Sequence, residues 1–135
     1  MKYILTLLIF CCFLPLVAIE QVTLTIEIND LRNNEGQILF ELSNEEEEMV
    51  FAITGAISEN RCVIVIENVE SGMYAFRYFH DENMNDKLDT NWLGIPKEGF
   101  GFSNEPRMTF GLPSFEKTLF ELINSEVKTS KPKYF

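Results

Sequence analysis

The chain has 135 residues, of which 46% are apolar and 24% charged, so it can bury the core of about one domain and is not expected to be disordered. Its formal net charge of −10 repels phosphate backbones and anionic headgroups, which argues against nucleic acids and membrane surfaces as partners. The same charge attracts cations, including divalent metal ions.

The first 18 residues have the layout of a secretory signal peptide. A basic start is followed by an almost unbroken apolar run over residues 3–17, and Ala18 supplies a small residue at the cleavage point. An uncleaved anchor helix is the competing interpretation, but a run of about 15 residues is shorter than the ~20 that span a bilayer. A lipoprotein signal fits less well, because bulky residues precede Cys11 and Cys12. We therefore predict export to the periplasm, the outer-membrane surface or the medium, with no transmembrane segment after cleavage.

Cleavage near Ala18 would leave Cys62 as the one cysteine of a mature domain that spans residues 19–135. An internal disulfide is then impossible, although exported proteins often contain them. Cys62 opens a stretch of apolar residues, which predicts a buried, unreactive thiol. The domain must therefore be held together by packing, or by packing and a bound metal.

Alternating apolar residues predict about seven short β-strands and no strong helix. These strands cover residues 22–28, 37–42, 51–57, 62–66, 73–80, 118–123 and 126–131. Turn-forming residues at 33–36 and 58–61 predict that the first two strands form one hairpin and the next two another. Residues 62–66 are all apolar, which predicts a central strand covered on both faces. The set predicts an all-β protein, a single antiparallel two-sheet sandwich with one long glycine- and aromatic-rich loop.

The acidic loop, residues 81–91, is the part of the sequence that most resembles a metal site. It places oxygen-bearing side chains at alternate positions, as calcium loops do, and calcium takes six to eight hard oxygen ligands. The candidate ligands are the side chains of Asp81, Asn83, Asn85 and Asp89 and the backbone carbonyl of Lys87.

The EF-hand pattern fails after its ninth position. Asp86 stands where that pattern has glycine, and Trp92 stands where it has a bidentate glutamate. We therefore predict a calcium loop of another kind, completed by Asp86, Asn91 or Glu98, with a dissociation constant on the order of 10⁻⁴–10⁻³ M. The alternative is a metal-free turn, since Asp and Asn favour turns by themselves. The alternate spacing favours calcium.

Residues 91–115 form a glycine–aromatic segment with four glycines, three prolines and five aromatic residues. A loop of this length is unusual in a compact domain and is often functional. One interpretation is an aromatic surface for a sugar or a peptide, so that a glycan or an envelope protein would be the partner. The favoured interpretation is that the aromatic side chains pin the loop to the sandwich, because phenylalanine without polar partners is commoner in cores.

The sequence offers little support for catalysis. His80 is the only histidine, and no serine lies in a Gly-x-Ser-x-Gly setting. The mature chain also has too little histidine and cysteine for a zinc site. His80 is therefore predicted to be structural, and an enzyme is disfavoured. The alternative is a small hydrolase that acts on envelope polymers or glycans through His80 and nearby acids.

The block from residue 80 to residue 104 is similar to a family of small exported bacterial proteins, catalogued as domain of unknown function family 2141. Shorter similarities lie at residues 31–37 and 110–115, and Asp86 replaces the glycine that the family usually has. The resemblance implies a signal peptide, export and an immunoglobulin-like or prealbumin-like sandwich, but no established activity. We expect an exported module with a binding or structural role in the bacterial envelope.

Overall fold

A computed structural model of the protein describes residues 20–109 and 111–135, so the predicted signal peptide lies outside the described residues. These residues form eight β-strands and one short 3₁₀ helix, Phe115–Lys117. The strands are β1 Gln21–Ile28, β2 Gln37–Asn44, β3 Met49–Gly55, β4 Cys62–Glu70, β5 Gly72–Asp81, β6 Phe100–Phe102, β7 Phe120–Leu122 and β8 Glu126–Ser130. The all-β prediction is confirmed, and β6 is the strand that the sequence pattern did not predict.

The strands form two sheets that pack face to face as a sandwich. One sheet has the order β4-β1-β8, and the other has the order β3-β2-β5-β6, with β7 also paired to β5. Every pairing between the described strands is antiparallel except that of β1 with β8. The predicted two-sheet sandwich is therefore confirmed.

Both predicted hairpins are wrong. β1 pairs with β4 and β8, whereas β2 pairs with β3 and β5, so residues 33–36 carry the chain from one sheet to the other. β3 and β4 also lie in different sheets. The loop that connects them contains a tight turn closed by a bridge between Ser58 and Arg61. Turn-forming residues show where a chain reverses, but they do not distinguish a hairpin from an arch between two sheets.

β2 and β3 form a hairpin, which was not predicted, and the four glutamates at residues 45–48 make its turn. The Asn44 side-chain oxygen accepts hydrogen bonds from the backbone N–H groups of Glu46 (3.1 Å) and Glu48 (2.9 Å). An asparagine that bonds the backbone two to four residues onward stabilises a turn. The glutamate run therefore lies on a solvated turn at the end of two paired strands.

The prediction that β4 is a central strand is also wrong, because β4 is an edge strand of the smaller sheet. Its inward residues, including Cys62 and Ile64, are buried, whereas Val63 and Val65 on the other face are 53% and 50% exposed. The apolar Val63 and Val65 on the outer face led to the prediction that both faces of the strand are buried. The prediction for Cys62 itself is confirmed: it is buried, and burial raises the pKa of its thiol to about 11.

The core lies between the two sheets and consists of the inward residues of the long strands together with β7. Its largest members include Leu24 and Ile26 of β1, Phe40 of β2, Phe76 of β5 and Phe120 of β7. The ring of Phe76 lies 5.5 Å from that of Phe40 and 6.0 Å from that of Phe120, measured between centroids. Each such side chain contributes about 1.5–3 kcal/mol on burial, so packing without a disulfide can hold this domain.

The long loop leaves the larger sheet at the end of β5 and re-enters the same sheet as β6, which pairs directly with β5. Phe100 pairs with Phe79 of β5, and Gly101 pairs with Tyr78. A side chain on Gly101 would come within 2.4 Å of the Tyr78 ring, so the close approach of these strands requires glycine. Residues 82–99 are therefore one excursion with both ends anchored on the larger sheet.

Candidate functional site

Asp81, the last residue of β5, organises the start of the acidic loop. Its carboxylate is fully buried and accepts hydrogen bonds from the backbone N–H of Asn85 (3.1 Å) and Asp86 (2.9 Å) and from Nε2 of Gln37 (3.0 Å). Burial raises the pKa of Asp81, but these hydrogen bonds together outweigh burial and hold the pKa below its ordinary value. Asp81 is therefore a buried anion that fixes the backbone of the turn.

Asn83, Asn85 and Asp89 converge in the middle of the loop. Oδ1 of Asn83 accepts the N–H of Asn85 (3.2 Å), and Oδ1 of Asn85 accepts the N–H of Lys87 (2.9 Å), so two asparagine turns follow each other. The Nδ2 groups of the two asparagines donate to the two carboxylate oxygens of Asp89, at 2.6 Å and 3.1 Å. The structure therefore brings three of the five predicted ligands into direct contact.

The backbone explains the departure from glycine at Asp86. This residue has a φ angle of 60°, in the left-handed region where glycine is favoured and Asp and Asn are tolerated better than most other residues. Its carboxylate accepts a hydrogen bond from Gln37 Nε2 (3.0 Å). Asp86 therefore adopts the turn conformation that glycine would favour, and its side chain adds a hydrogen bond to Gln37 of β2.

Glu98 closes the loop from the opposite side. Its buried carboxylate accepts the N–H of Glu82 through Oε1 and the N–H of Asp89 through Oε2, both at 2.9 Å. One carboxylate therefore joins the two ends of the acidic loop. The sequence marked Glu98 as a residue that could complete a calcium shell, and in this structure its oxygens bind backbone N–H groups.

The donor atoms of the loop suit calcium in type. Carboxylates, amide oxygens and a backbone carbonyl are hard oxygen ligands, which calcium prefers and zinc does not. Among residues 20–109 and 111–135, no three His, Cys, Asp or Glu side chains are grouped as a metal site. A cation here would therefore depend on the amide oxygens of Asn83 and Asn85, with Asp89 as the carboxylate that faces the turn.

An apolar groove of about 770 Å³ lies on the outer face of the larger sheet, with the acidic loop at its rim. Phe79, Phe102 and Leu112 line it, together with Leu39, Phe100 and Leu88, and Asp86 adds a charge at the rim. This volume falls in the range of small-molecule pockets. The groove was not predicted from the sequence, although Leu39 and Phe79 indicate it: both are apolar at strand positions that point away from the core.

Arg77 and Glu41 form an ion pair on the floor of the apolar groove. Arg77 Nε donates to Glu41 Oε2 at 2.6 Å, and the two residues are directly opposite each other on β5 and β2. The Arg77 side chain is 69% exposed, so the pair remains accessible to solvent. The groove therefore offers apolar walls and one polar pair that can orient a ligand.

Two aromatic residues of the glycine–aromatic segment, Phe100 and Trp92, lie in opposite environments. Phe100 is buried and stacks on the ring of Phe135 with centroids 5.8 Å apart, which agrees with the interpretation that aromatics pin the loop. Trp92, in contrast, is 90% exposed at the tip of a turn that Asn91 closes by accepting the N–H groups of Leu93 and Ile95. Trp92 is therefore an aromatic side chain that the turn leaves almost fully exposed to solvent.

His80 is fully buried beneath the loop, as a structural residue would be. Its Nε2 lies 2.7 Å from the carbonyl of Glu35, and its Nδ1 lies 2.9 Å from the hydroxyl of Tyr134. Because a carbonyl only accepts, Nε2 carries the proton, and in the neutral ring Nδ1 accepts from Tyr134. Neither nitrogen can reach a substrate in this structure.

In the part of the chain that the structure describes, no helix has the length and apolar character that crossing a bilayer requires. Comparison with curated proteins and with solved structures gave no match. The family described as "Uncharacterized protein conserved in bacteria (DUF2141)" matches residues 26–130, a range that contains the strands from β2 to β8, the end of β1 and the whole acidic loop. The chain therefore belongs to this bacterial family, as its resemblance implied.

Proposed function

We propose that the protein is an exported binding module whose acidic loop is stabilised by calcium. The observation that carries this proposal is the convergence of Asn83 and Asn85 on Asp89. Two amide groups direct their partial positive charges at one carboxylate, at 2.6 Å and 3.1 Å. A divalent cation at that place would interact with the carboxylate far more strongly than two neutral donors do.

Calcium would replace the two Nδ2 donors, so the Asn83 and Asn85 side chains would rotate to present their amide oxygens to the ion. The other ligands would be the Lys87 carbonyl and the carboxylates of Asp89 and Asp81. Calcium shells commonly mix carboxylates, amide oxygens, backbone carbonyls and water. With two carboxylates, the affinity belongs in the range of extracellular modules, on the order of 10⁻⁴–10⁻³ M. The net charge of −10 adds a general attraction for cations.

The position of the loop supports a binding role. Asp86 and Leu88 of the loop line the apolar groove, and the turn that exposes Trp92 follows directly after it. An ion that stiffens the loop would also fix the groove rim and the Trp92 turn, and a preorganised site binds with a smaller loss of conformational entropy. A glycan or a segment of an envelope protein is the ligand class that we propose.

Export is supported by the signal-like first 18 residues. The hydrolase alternative required His80 as a catalytic residue, but both ring nitrogens of His80 are bonded inside the fold. No contact among the described residues, 20–109 and 111–135, favours that alternative.

A calcium titration followed by backbone-amide NMR tests the proposal. We expect saturable shifts concentrated in residues 81–98, with a dissociation constant on the order of 10⁻⁴–10⁻³ M. Asp89→Asn should abolish saturation, whereas the matched control Asp30→Asn, on an exposed carboxylate outside the loop, should titrate like the unmodified protein. Shifts that fail to saturate by roughly 10 mM, ten times the weak end of this range, would contradict the proposal.

A further inference from the structure

The edge of β3 is the least protected edge of the sandwich. Met49–Gly55 contains no charged residue and no proline, two of the usual devices that prevent edge strands from pairing with other chains, and its one irregularity is a register shift against β2 at its Met49 end. Among the described residues, β2 is the strand that pairs with β3, and the opposite side of β3 is unpaired along the sheet order. Met49, Val50 and Ile53 are 60%, 51% and 39% exposed.

The opposite side of the sandwich is protected by contrast. β8 carries Glu126 and Lys128 on its short length. β6 is covered by the C-terminal residues, where Lys133 exchanges two backbone hydrogen bonds with Phe100, at 2.8 Å and 3.1 Å. Of the 13 large apolar residues that the described chain exposes, five lie on β3 and β4. Three of these five, Met49, Val50 and Ile53, lie on the unpaired edge strand β3 itself.

We propose that β3 is a self-association edge, which pairs antiparallel with β3 of a second copy of this chain. The strand is self-complementary in its regular part, residues 51–55: pairing centred on Ala52 sets Phe51 against Ile53 of the other copy. Aromatic and β-branched side chains form favourable cross-strand pairs, and no like charges meet. The larger sheets of the two copies would then form one continuous sheet.

Charge decides the orientation of the second copy, because an antiparallel arrangement separates the acidic turns of the two copies. Residues 45–48 place four glutamates at one end of β3. Antiparallel pairing puts the two glutamate turns at opposite ends of the joined strands, about 20 Å apart at ~3.4 Å per residue. That separation exceeds the Debye length of about 8 Å, so their repulsion is screened, whereas parallel pairing would set the turns side by side.

Cysteine cross-linking tests the pairing and its register together. In Ala52→Cys, the two-fold axis would bring the new thiols opposite each other, within the Cα separation of about 4.4–6.8 Å that a disulfide spans. Val127→Cys, also well exposed but on the other sheet, is the matched control for random collisions. Cys62 is buried in both variants and does not interfere.

Both cysteine variants are expressed as the full chain, with the N-terminal segment included. We expect Ala52→Cys to form an intermolecular disulfide on the order of 100-fold faster than Val127→Cys. This estimate compares an effective concentration of about 1 mM in the dimer with free protein at about 10 μM. Sedimentation equilibrium should give a dimer for the unmodified chain and a monomer for Val50→Lys, while Val127→Lys stays dimeric. A monomeric unmodified chain, or equal cross-linking of the two cysteine variants, would overturn the proposal and leave the edge to a peptide from another protein.

Discussion

At the scale of single residues, the acidic loop depends on carboxylates that are bonded to backbone N–H groups. Asp81 holds the start of the turn, and Glu98 joins its two ends, each from a buried position. A buried carboxylate is costly unless such donors surround it, so both residues serve the fold whether or not an ion is bound. The sequence showed the spacing of the loop acids, but it could not show which carboxylates face the backbone and which face the turn.

Acid should destabilise the protein through two of these carboxylates. The hydrogen bonds to Asp81, and the ion pair of Glu82 with Arg32, hold the pKa of each acid below its ordinary value. Their stabilisation is therefore complete above the unfolded-state pKa of about 4 and is lost as the pH falls through the lower folded-state pKa. The free energy of unfolding in urea should be flat from pH 7 to about pH 5 and fall below about pH 4.

Asp81→Asn isolates the contribution of one carboxylate to that pH profile. We expect it to lower the free energy of unfolding at pH 7 by about 2 kcal/mol, because the hydrogen bonds to a charged acceptor are lost. The variant should also lose less stability in acid than the unmodified chain, since one depressed pKa is absent. Parallel pH profiles, measured by circular dichroism in urea, would contradict the assignment.

At the scale of elements, the sequence predicted the strands better than their partners. The alternation of apolar and polar residues in β1, β2 and β5 is strong because one face of each strand packs in the core. This pattern can be read without knowing which strand pairs with which. Pairing depends on whether a turn stays in one sheet or crosses to the other, which is a property of the whole sandwich. β6 was missed because Phe100–Phe102 is only three residues long and contains glycine.

The turn before β2 requires glycine for a reason that can be measured. Gly36 has a φ of +71°, and a side chain on it would come within 2.0 Å of the Asp81 carbonyl oxygen. Gly94 has a similar φ of +78° but has no atom within 4 Å of that position. Gly94→Ala should therefore cost about 1 kcal/mol, the strain of the backbone alone. Gly36→Ala should cost at least roughly 2 kcal/mol more, because the Asp81 backbone must move.

Chemical denaturation of the two alanine variants measures this difference directly. Equal losses of stability would mean that the contact between Gly36 and Asp81 does not constrain the start of the acidic loop.

At the scale of the whole molecule, the acidic loop and the first part of the glycine–aromatic segment are one structural unit. It leaves the larger sheet at Asp81, returns at Phe100, and is closed by Glu98 between. The sequence showed its two halves as separate motifs, because the contacts that join them cross 9 to 16 residues of chain. The apolar groove is likewise a property of the assembled sheet, since its lining comes from β2, β3, β5, β6 and the loops around them.

The central claim, that calcium stabilises this unit, is tested most directly by thermal unfolding in chelator and then in 10 mM calcium. For a dissociation constant of 10⁻⁴–10⁻³ M, that concentration should add roughly 1.4–2.7 kcal/mol, which corresponds to a rise in Tm of about 5–10 °C. Asp89→Asn should show no rise, while Asp30→Asn should match the unmodified chain, and magnesium at the same concentration controls for ionic strength. An unchanged Tm in calcium, or an equal rise in Asp89→Asn, would contradict the claim.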